Sequence, residues 1–175
     1  MENIKNTDER LAKQLGDFGE ALVMFILGQI KGYKVALVDH VGADIIATDR
    51  EKDGKRYAIS VKSRCFKTDG PQSPFDKNQQ NKLENFAYEF GDMIPTVAFV
   101  MIDKEIEYAD VYIMTLDRFR EMAGNVKGIS ETGFEENGTT LHFSNAPANQ
   151  SVIQNHEWID YTRLKVEKKN TKFTV

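Results

Sequence analysis

The stretch 42–64, GADIIATDREKDGKRYAISVKSR, constrains the fold more than any other part of the chain. It reads as a β-hairpin that turns at Asp53-Gly54, a dipeptide suited to a tight hairpin turn. Side chains alternate along a strand, so Asp44, Ile46 and Thr48 share one face of the first arm. Ala58, Ser60, Lys62 and Arg64 share one face of the second arm. Tyr57, Ile59 and Val61 point the other way and form an apolar face that buries. Pairing Asp44 against Ser60 and Lys62 sets a carboxylate, a hydroxyl and an ammonium side by side. Asp and Lys are poor strand formers, so their place in mid-strand, aimed at one patch, points to chemistry. A cross-strand surface ion pair, worth little, is the plain alternative. The hairpin alone is compatible with both.

The chain of 175 residues is long enough for one domain with a substantial core. We expect a single domain over 1–175, with a core at about 10–103 and a C-terminal extension at about 104–175. Hydrophobic and charged fractions of 41% and 29% are those of a soluble globular protein. A formal net charge of −4 argues against a protein that coats nucleic acid, but not against an enzyme that meets DNA in one groove. The single cysteine, Cys65, excludes an internal disulfide and fits a reducing compartment; it reads as a packed thiol. No Cys/His spacing suggests zinc. The polar N-terminus is unlike a secretory signal, and the longest apolar run, 21–27, is far too short to span a bilayer. The expectation is a cytoplasmic protein.

A first helix is expected from Thr7 or Asp8, either of which suits an N-cap, to near Gly32. Leu11, Leu15, Phe18, Leu22 and Phe25 recur at helical spacing as one apolar stripe. The run ALVMFIL then turns apolar nearly all round. Such a helix buries on two sides, against the sheet and against a second surface, and a homodimer is expected. Glu20 lies away from the stripe, with Gly16, Val23 and Leu27. A glutamate opening so apolar a turn is costly unless it meets a partner or a metal; otherwise it sits at an exposed helix edge. Gly16 and Gly19 weaken the helix, which points to close approach of a neighbour.

Strands are expected at 33–39, 94–102 and 109–115, helices at 77–90 and 116–123, and a short strand at 139–143. The segment CFKTDGPQSPFD reads as a loop beside the hairpin. Residues 158–164 read as a last helical turn, and the lysine-rich tail from Arg163 as frayed.

The order α-β-β-β-α-β, with Gly16 and Gly19-Glu20 on the first helix, Gly42-Ala43-Asp44-Ile45-Ile46-Ala47 on the second strand and Ile59-Ser60-Val61-Lys62-Ser63-Arg64 on the third, resembles the PD-(D/E)XK nuclease superfamily. Within it, the likeness is to the Holliday-junction-resolvase and restriction-endonuclease-like branch. Gln79, Leu83 and Phe86-Ala87 in the next helix add to it. The resemblance covers roughly residues 10 to 103. It implies an α/β fold of the restriction-endonuclease-like αβββαβ type, with a mixed central sheet flanked by helices. It also implies a Mg²⁺- or Mn²⁺-dependent endonuclease that hydrolyses DNA phosphodiester bonds, in a repair, recombination or defence setting. The implied catalytic set is Glu20, Asp44, Ser60 and Lys62. Asp44 would be the principal metal ligand, Glu20 a second or water-mediated one, and the Val61 carbonyl another. Lys62 would orient the attacking water or neutralise the phosphorane. Arg64 and Lys67 would hold phosphate, and Gln79 a phosphate or the water.

One departure stands out: the family pattern has Glu or Asp where this chain has Ser60. A hydroxyl is a weak neutral ligand for a hard cation. Three arrangements are compatible with it. Glu20 replaces the missing carboxylate; or Ser60 and Gln79 suffice with an inner-shell water; or the site is silent, leaving a nuclease fold that binds nucleic acid or protein without cutting.

Overall fold

The computed structural model describes residues 3–50, 54–65, 72–103, 107–125, 140–142 and 159–165. Helix α1 spans Asn3–Phe25 and continues as a π-helical turn over Ile26–Ile30. Strands β1 (Lys34–His40), β2 (Ala43–Thr48) and β3 (Arg56–Cys65) follow, then a short β4 (Gln72–Pro74) and helix α2 (Lys77–Glu89). Strands β5 (Ile94–Ile102) and β6 (Tyr108–Thr115), helix α3 (Leu116–Asn125), β7 (Thr140–His142) and β8 (Ile159–Lys165) complete the described chain. Six strands form one mixed sheet in the order β1-β2-β3-β5-β6-β8. β3 and β5 are parallel, joined by the crossover through α2; every other pair in this sheet is antiparallel. This is the α/β fold with a helix-flanked mixed sheet that the resemblance implies; its α-β-β-β-α-β order runs from α1 to β5, interrupted only by the short β4, which pairs with β7 outside the main sheet.

The hairpin pairs as its periodicity requires, from Thr48↔Arg56 to Ile45↔Ile59. Alternation divides the core into two. Ile45, Ile59, Val61, Ala98 and Val100 face α1 and pack on Val23, Ile26 and Leu27. Ala58, Val97, Phe99 and Met101 face α2 and α3 and pack on Leu83, Phe86 and Phe119. β5 is buried on nearly its whole length, as an apolar strand covered on both faces must be.

Several expectations are corrected. α1 begins at Asn3, ahead of Thr7 and Asp8, because the helical backbone extends back through the polar N-terminal turn. The face of α1 that meets the sheet carries Gly19, Val23, Ile26 and Leu27, whereas Leu11, Phe18 and Phe25 are 57%, 49% and 50% exposed. Periodicity locates apolar faces but does not rank them. Gly19 lets the helix axis come nearer the sheet on its side, and that face wins. Among the described residues Gly16 has no atom within 4 Å of the position of a Cβ, so of these two glycines Gly19 is the one in close approach. Cys65 is exposed rather than packed. Part of the segment read as a loop is β4, paired with β7, and Phe75 beyond it is fully buried. Residues 158–164 are not a helical turn: Ile159–Lys165 is an edge strand on β6, so Arg163 belongs to the sheet. Its β-branched and aromatic residues, Ile159, Tyr161 and Thr162, suit a strand.

Helices α2 and α3 are tied by one polar network. Arg120 donates two bonds to Glu84, at 2.6 and 2.9 Å, and one from Nε to the Gln80 amide oxygen at 2.9 Å. Buried Gln80 donates onward to the Phe75 carbonyl at 2.8 Å. The network fixes Phe75, which matters for the site. Among the described residues, no helix is long and apolar enough to cross a membrane.

Candidate functional site

The β2–β3 ladder stops at Ile45↔Ile59, one residue short of Asp44 and Ser60. From there the two strands diverge, and the N–H of Val61 faces no backbone carbonyl of β2. The Asp44 carboxylate takes that carbonyl's place: Oδ2 accepts the Val61 N–H at 2.6 Å and the Ser60 hydroxyl at 3.3 Å. A backbone N–H left without an acceptor in this half-buried position would be costly, so the aspartate is as much a part of the fold as of any chemistry. Oδ1 of Asp44 accepts no hydrogen bond among the described residues. The N–H and C=O of one strand residue point to the same side, so the Val61 carbonyl also lies on the edge of β3 toward Asp44.

Gly42 holds the turn that brings β2 into this position. Its φ of +121° is one that side chains rarely adopt, and a Cβ there would lie 2.4 Å from the Lys82 carbonyl of α2. The β1–β2 turn therefore presses directly on α2, and His40 packs on the Phe86 and Phe90 rings beside it.

Charge converges on the opening from two sides. Lys62 lies on the α2 side of β3, with Nζ 5.4 Å from the centre of the buried Phe75 ring. Burial lowers the Lys62 pKa from its ordinary value, while Asp44 opposes that shift. Glu20 lies on the α1 side, half-buried, on the helical stripe that continues into Val23 and Leu27. Its pKa is raised, first by burial and then by the negative charges of Asp44 and Asp17. The mutual influence of Glu20, Asp44 and Lys62 puts the three in one electrostatic neighbourhood.

The other predicted residues are placed as follows. Ser60 is buried and points at Asp44. Arg64 is exposed at the end of β3, with Nη1 donating to the Ser63 carbonyl at 2.8 Å. Gln79 serves a capping box at the start of α2: its N–H donates to Asp76 Oδ1 at 2.8 Å and its Oε1 accepts the Asp76 N–H at 3.2 Å. Its side-chain oxygen is thus committed to the helix terminus. Lys67 lies outside the described residues. Sequence reasoning missed Phe75 beneath Lys62, and Asp76, Asp17 and Asp39, whose charges act on Lys62 or Glu20. Asp76-Lys77-Asn78-Gln79 does carry a legible capping-box signature. Nothing in the chain's linear pattern marks Phe75 as the residue under the lysine.

Whether these residues suit a hard divalent cation follows from the donor set. Among the described residues no group of three or more His, Cys, Asp or Glu side chains is assembled. Asp44 and Glu20 supply two carboxylates within electrostatic reach of each other, and the Val61 carbonyl lies on the edge of β3 toward Asp44. Mg²⁺ is held through one or two carboxylates with several retained waters, so this donor set fits it.

No family model matches the chain, and no curated protein does. Among solved structures, it is similar to Hjc, a Holliday junction resolvase from the archaeal hyperthermophile Archaeoglobus fulgidus. The two share 17% identity with a TM-score of 0.42, over 58% of this chain and 73% of that one.

Proposed function

We propose that the chain is a divalent-metal-dependent endonuclease that hydrolyses phosphodiester bonds in DNA. The observation that carries the reading is the Asp44 carboxylate at the mouth of the β2–β3 opening. One of its oxygens is bound to the Val61 N–H and the other is uncommitted among the described residues, with Lys62 and Glu20 within its electrostatic reach. Asp44, Glu20 and the Val61 carbonyl would hold Mg²⁺ or Mn²⁺. When bound, such an ion supplies charge against that building on the phosphoryl oxygens and lowers the pKa of a coordinated water. Lys62 orients the attacking water and donates to the phosphoryl oxygen. Phe75, tied to the Arg120–Gln80 network through its carbonyl, presents its ring to the Lys62 ammonium. Ser60 donates to Asp44, which leaves the opposite carboxylate oxygen for the cation. Arg64 and Lys67 bind the DNA backbone next to the scissile phosphate, and Gln79 contributes its amide nitrogen there. A cytoplasmic setting, where Cys65 stays reduced, belongs to the same reading.

Isothermal calorimetry with Mn²⁺ tests the metal assignment. Wild-type protein is expected to bind, and Ser60→Glu, which restores a carboxylate beside Asp44, is expected to bind about 10-fold more tightly, the order of effect seen for residues that support metal ligands. Unchanged affinity in Ser60→Glu would place residue 60 away from the ion. Absence of binding by both proteins would favour a nuclease fold that binds without cutting.

A homodimer belongs to the same proposal. Leu11, Leu15, Phe18, Leu22 and Phe25 follow a 4-3-4-3 spacing, the seam of a left-handed helix pair, and three of the five are about half exposed. The residues flanking the seam, Ala12, Gln14, Gly19 and Ala21, carry no charge, so a second copy meets no like-charge repulsion there. Light scattering at micromolar concentration is expected to give twice the chain mass, and Phe18→Glu to halve it. A wild-type monomer would remove the dimer.

A further inference from the structure

Gly19 and Ser63 make an unusually close contact between α1 and β3. A Cβ on Gly19 would lie 1.8 Å from Ser63 Oγ and 3.0 Å from Ser63 Cβ, while its approach to Val100 Cβ, at 3.6 Å, would be ordinary. Among the described residues, only Ser63 stands in the way. The Ser63 hydroxyl is itself buried and makes no hydrogen bond among the described residues. A buried hydroxyl without a partner costs free energy, so bonding does not account for this contact. What it does is set a distance: a serine against a glycine brings the helix backbone onto a central strand. Gly16, one turn earlier, has open space where its side chain would be. The close approach thus occurs at one point, and the residues next along each element are Glu20 on α1 and, on β3, Lys62 just before Ser63.

We infer that the Gly19–Ser63 contact is a positioning device that seats α1 on β3 so that Glu20 reaches the Asp44 carboxylate. The inference rests on the metal-site reading above and gives it a mechanism for placing a ligand carried on a helix. Glu20 is one peptide from the contact, and a helix turns about 100° per residue. A small lift or roll of α1 at Gly19 therefore swings the Glu20 carboxylate relative to β2. Gly19 and Ser63 touch no substrate and act only through Glu20.

The test is Mn²⁺ affinity by calorimetry on the full chain, with thermal unfolding alongside. Gly19→Ala is expected to weaken Mn²⁺ binding about 10-fold or more. Ser63→Ala in the Gly19→Ala background, which removes the nearest obstructing atom, is expected to restore much of the loss. In a Glu20→Gln background, Gly19→Ala is expected to change affinity no further, because the residue it positions is already disabled. Ser63→Val, which presses on the same contact from β3, is expected to repeat the Gly19→Ala result and serves if that variant does not fold. Wild-type affinity in folded Gly19→Ala or Ser63→Val would overturn the inference. So would an equal loss with and without the Glu20 carboxylate, which would make the contact merely structural. Wild-type protein that binds no Mn²⁺ would instead overturn the metal site, and this inference with it.

Discussion

Replacing Asp44 with asparagine is expected to leave the protein folded and to abolish its chemistry. The two roles of Asp44 separate in this substitution. The asparagine side-chain oxygen still accepts the Val61 N–H, now held at 2.6 Å by the carboxylate, so the divergence of β2 and β3 survives. The negative charge that would hold a cation is gone. Cleavage is expected to fall at least about 10²-fold, the scale on which removing a preorganised electrostatic stabiliser acts. Asp44→Ala is expected to do both: it loses the activity and also about 1–3 kcal/mol of stability, because the Val61 N–H and Ser60 hydroxyl lose their shared acceptor. Chemical denaturation of the two variants beside an activity assay checks the separation. Equal destabilisation by asparagine and alanine would show that the hydrogen bonds at Asp44 contribute little to the fold.

The second large effect lies at the far edge of the sheet. Asp110 is 1% exposed, and Arg163 donates two bonds to it, each 2.6 Å, with the Tyr161 hydroxyl adding a third at 2.8 Å. The guanidinium also lies over the Tyr108 ring, 4.6 Å from its centre. Arg163→Met would leave the Asp110 carboxylate buried with, among the described residues, only Tyr161 to answer it. Breaking such a pair from one side costs about 3–5 kcal/mol. The pair also pins β8 to β6 at the Asp110↔Arg163 register, where a slip of one residue would turn every β8 side chain to the wrong face. The double variant Asp110→Asn/Arg163→Met is expected to recover much of the loss, since no uncompensated charge remains. A loss under about 1 kcal/mol in Arg163→Met, well below the range for a broken buried pair, would mean that Asp110 finds another partner. The same cluster predicts an alkaline limit. The Tyr161 pKa is pushed up to about 12, first by burial and then by its bond to Asp110. The folded state favours the neutral phenol, so this stabilisation is complete below the ordinary pKa of 10.0 and is lost as pH rises toward about 12. Tyr161→Phe is expected to flatten that loss in denaturation curves taken across this range.

How far the sequence carries the fold can be seen from individual residues. The hairpin is legible because its alternation is unambiguous and both its faces are decided by composition. The β5 strand and α2 are legible from continuous apolarity and from a helical period closed by Gly91. The orientation of helix α1 is not, because it has two apolar faces, and the face that packs, Gly19 with Val23, Ile26 and Leu27, is matched to sheet residues such as Ser63 and Val100 that are its neighbours only in three dimensions. β8 is hidden because seven residues of mixed polarity fit a helical turn as well as an edge strand, and the partner that decides, Asp110, is 53 positions away. In the site, the proximity of Asp44 and Ser60 follows from strand periodicity. The bond from Val61 N–H to Asp44 does not, because it depends on where the ladder ends. Phe75, under Lys62, is likewise fixed by the Gln80–Arg120 network, whose members are 40 residues apart.

A cleavage assay tests the central claim most directly. Supercoiled, linear, single-stranded and branched DNA are each incubated with Mg²⁺ or Mn²⁺ and wild-type protein, with Asp44→Asn and Lys62→Met as controls. Lys62→Met keeps an unbranched apolar side chain while removing the ammonium. The account predicts metal-dependent cleavage of at least one substrate by wild-type protein, lost in both variants although each stays folded. Metal-independent cleavage, cleavage that survives in either variant, or no cleavage of any substrate by folded wild-type protein would contradict it.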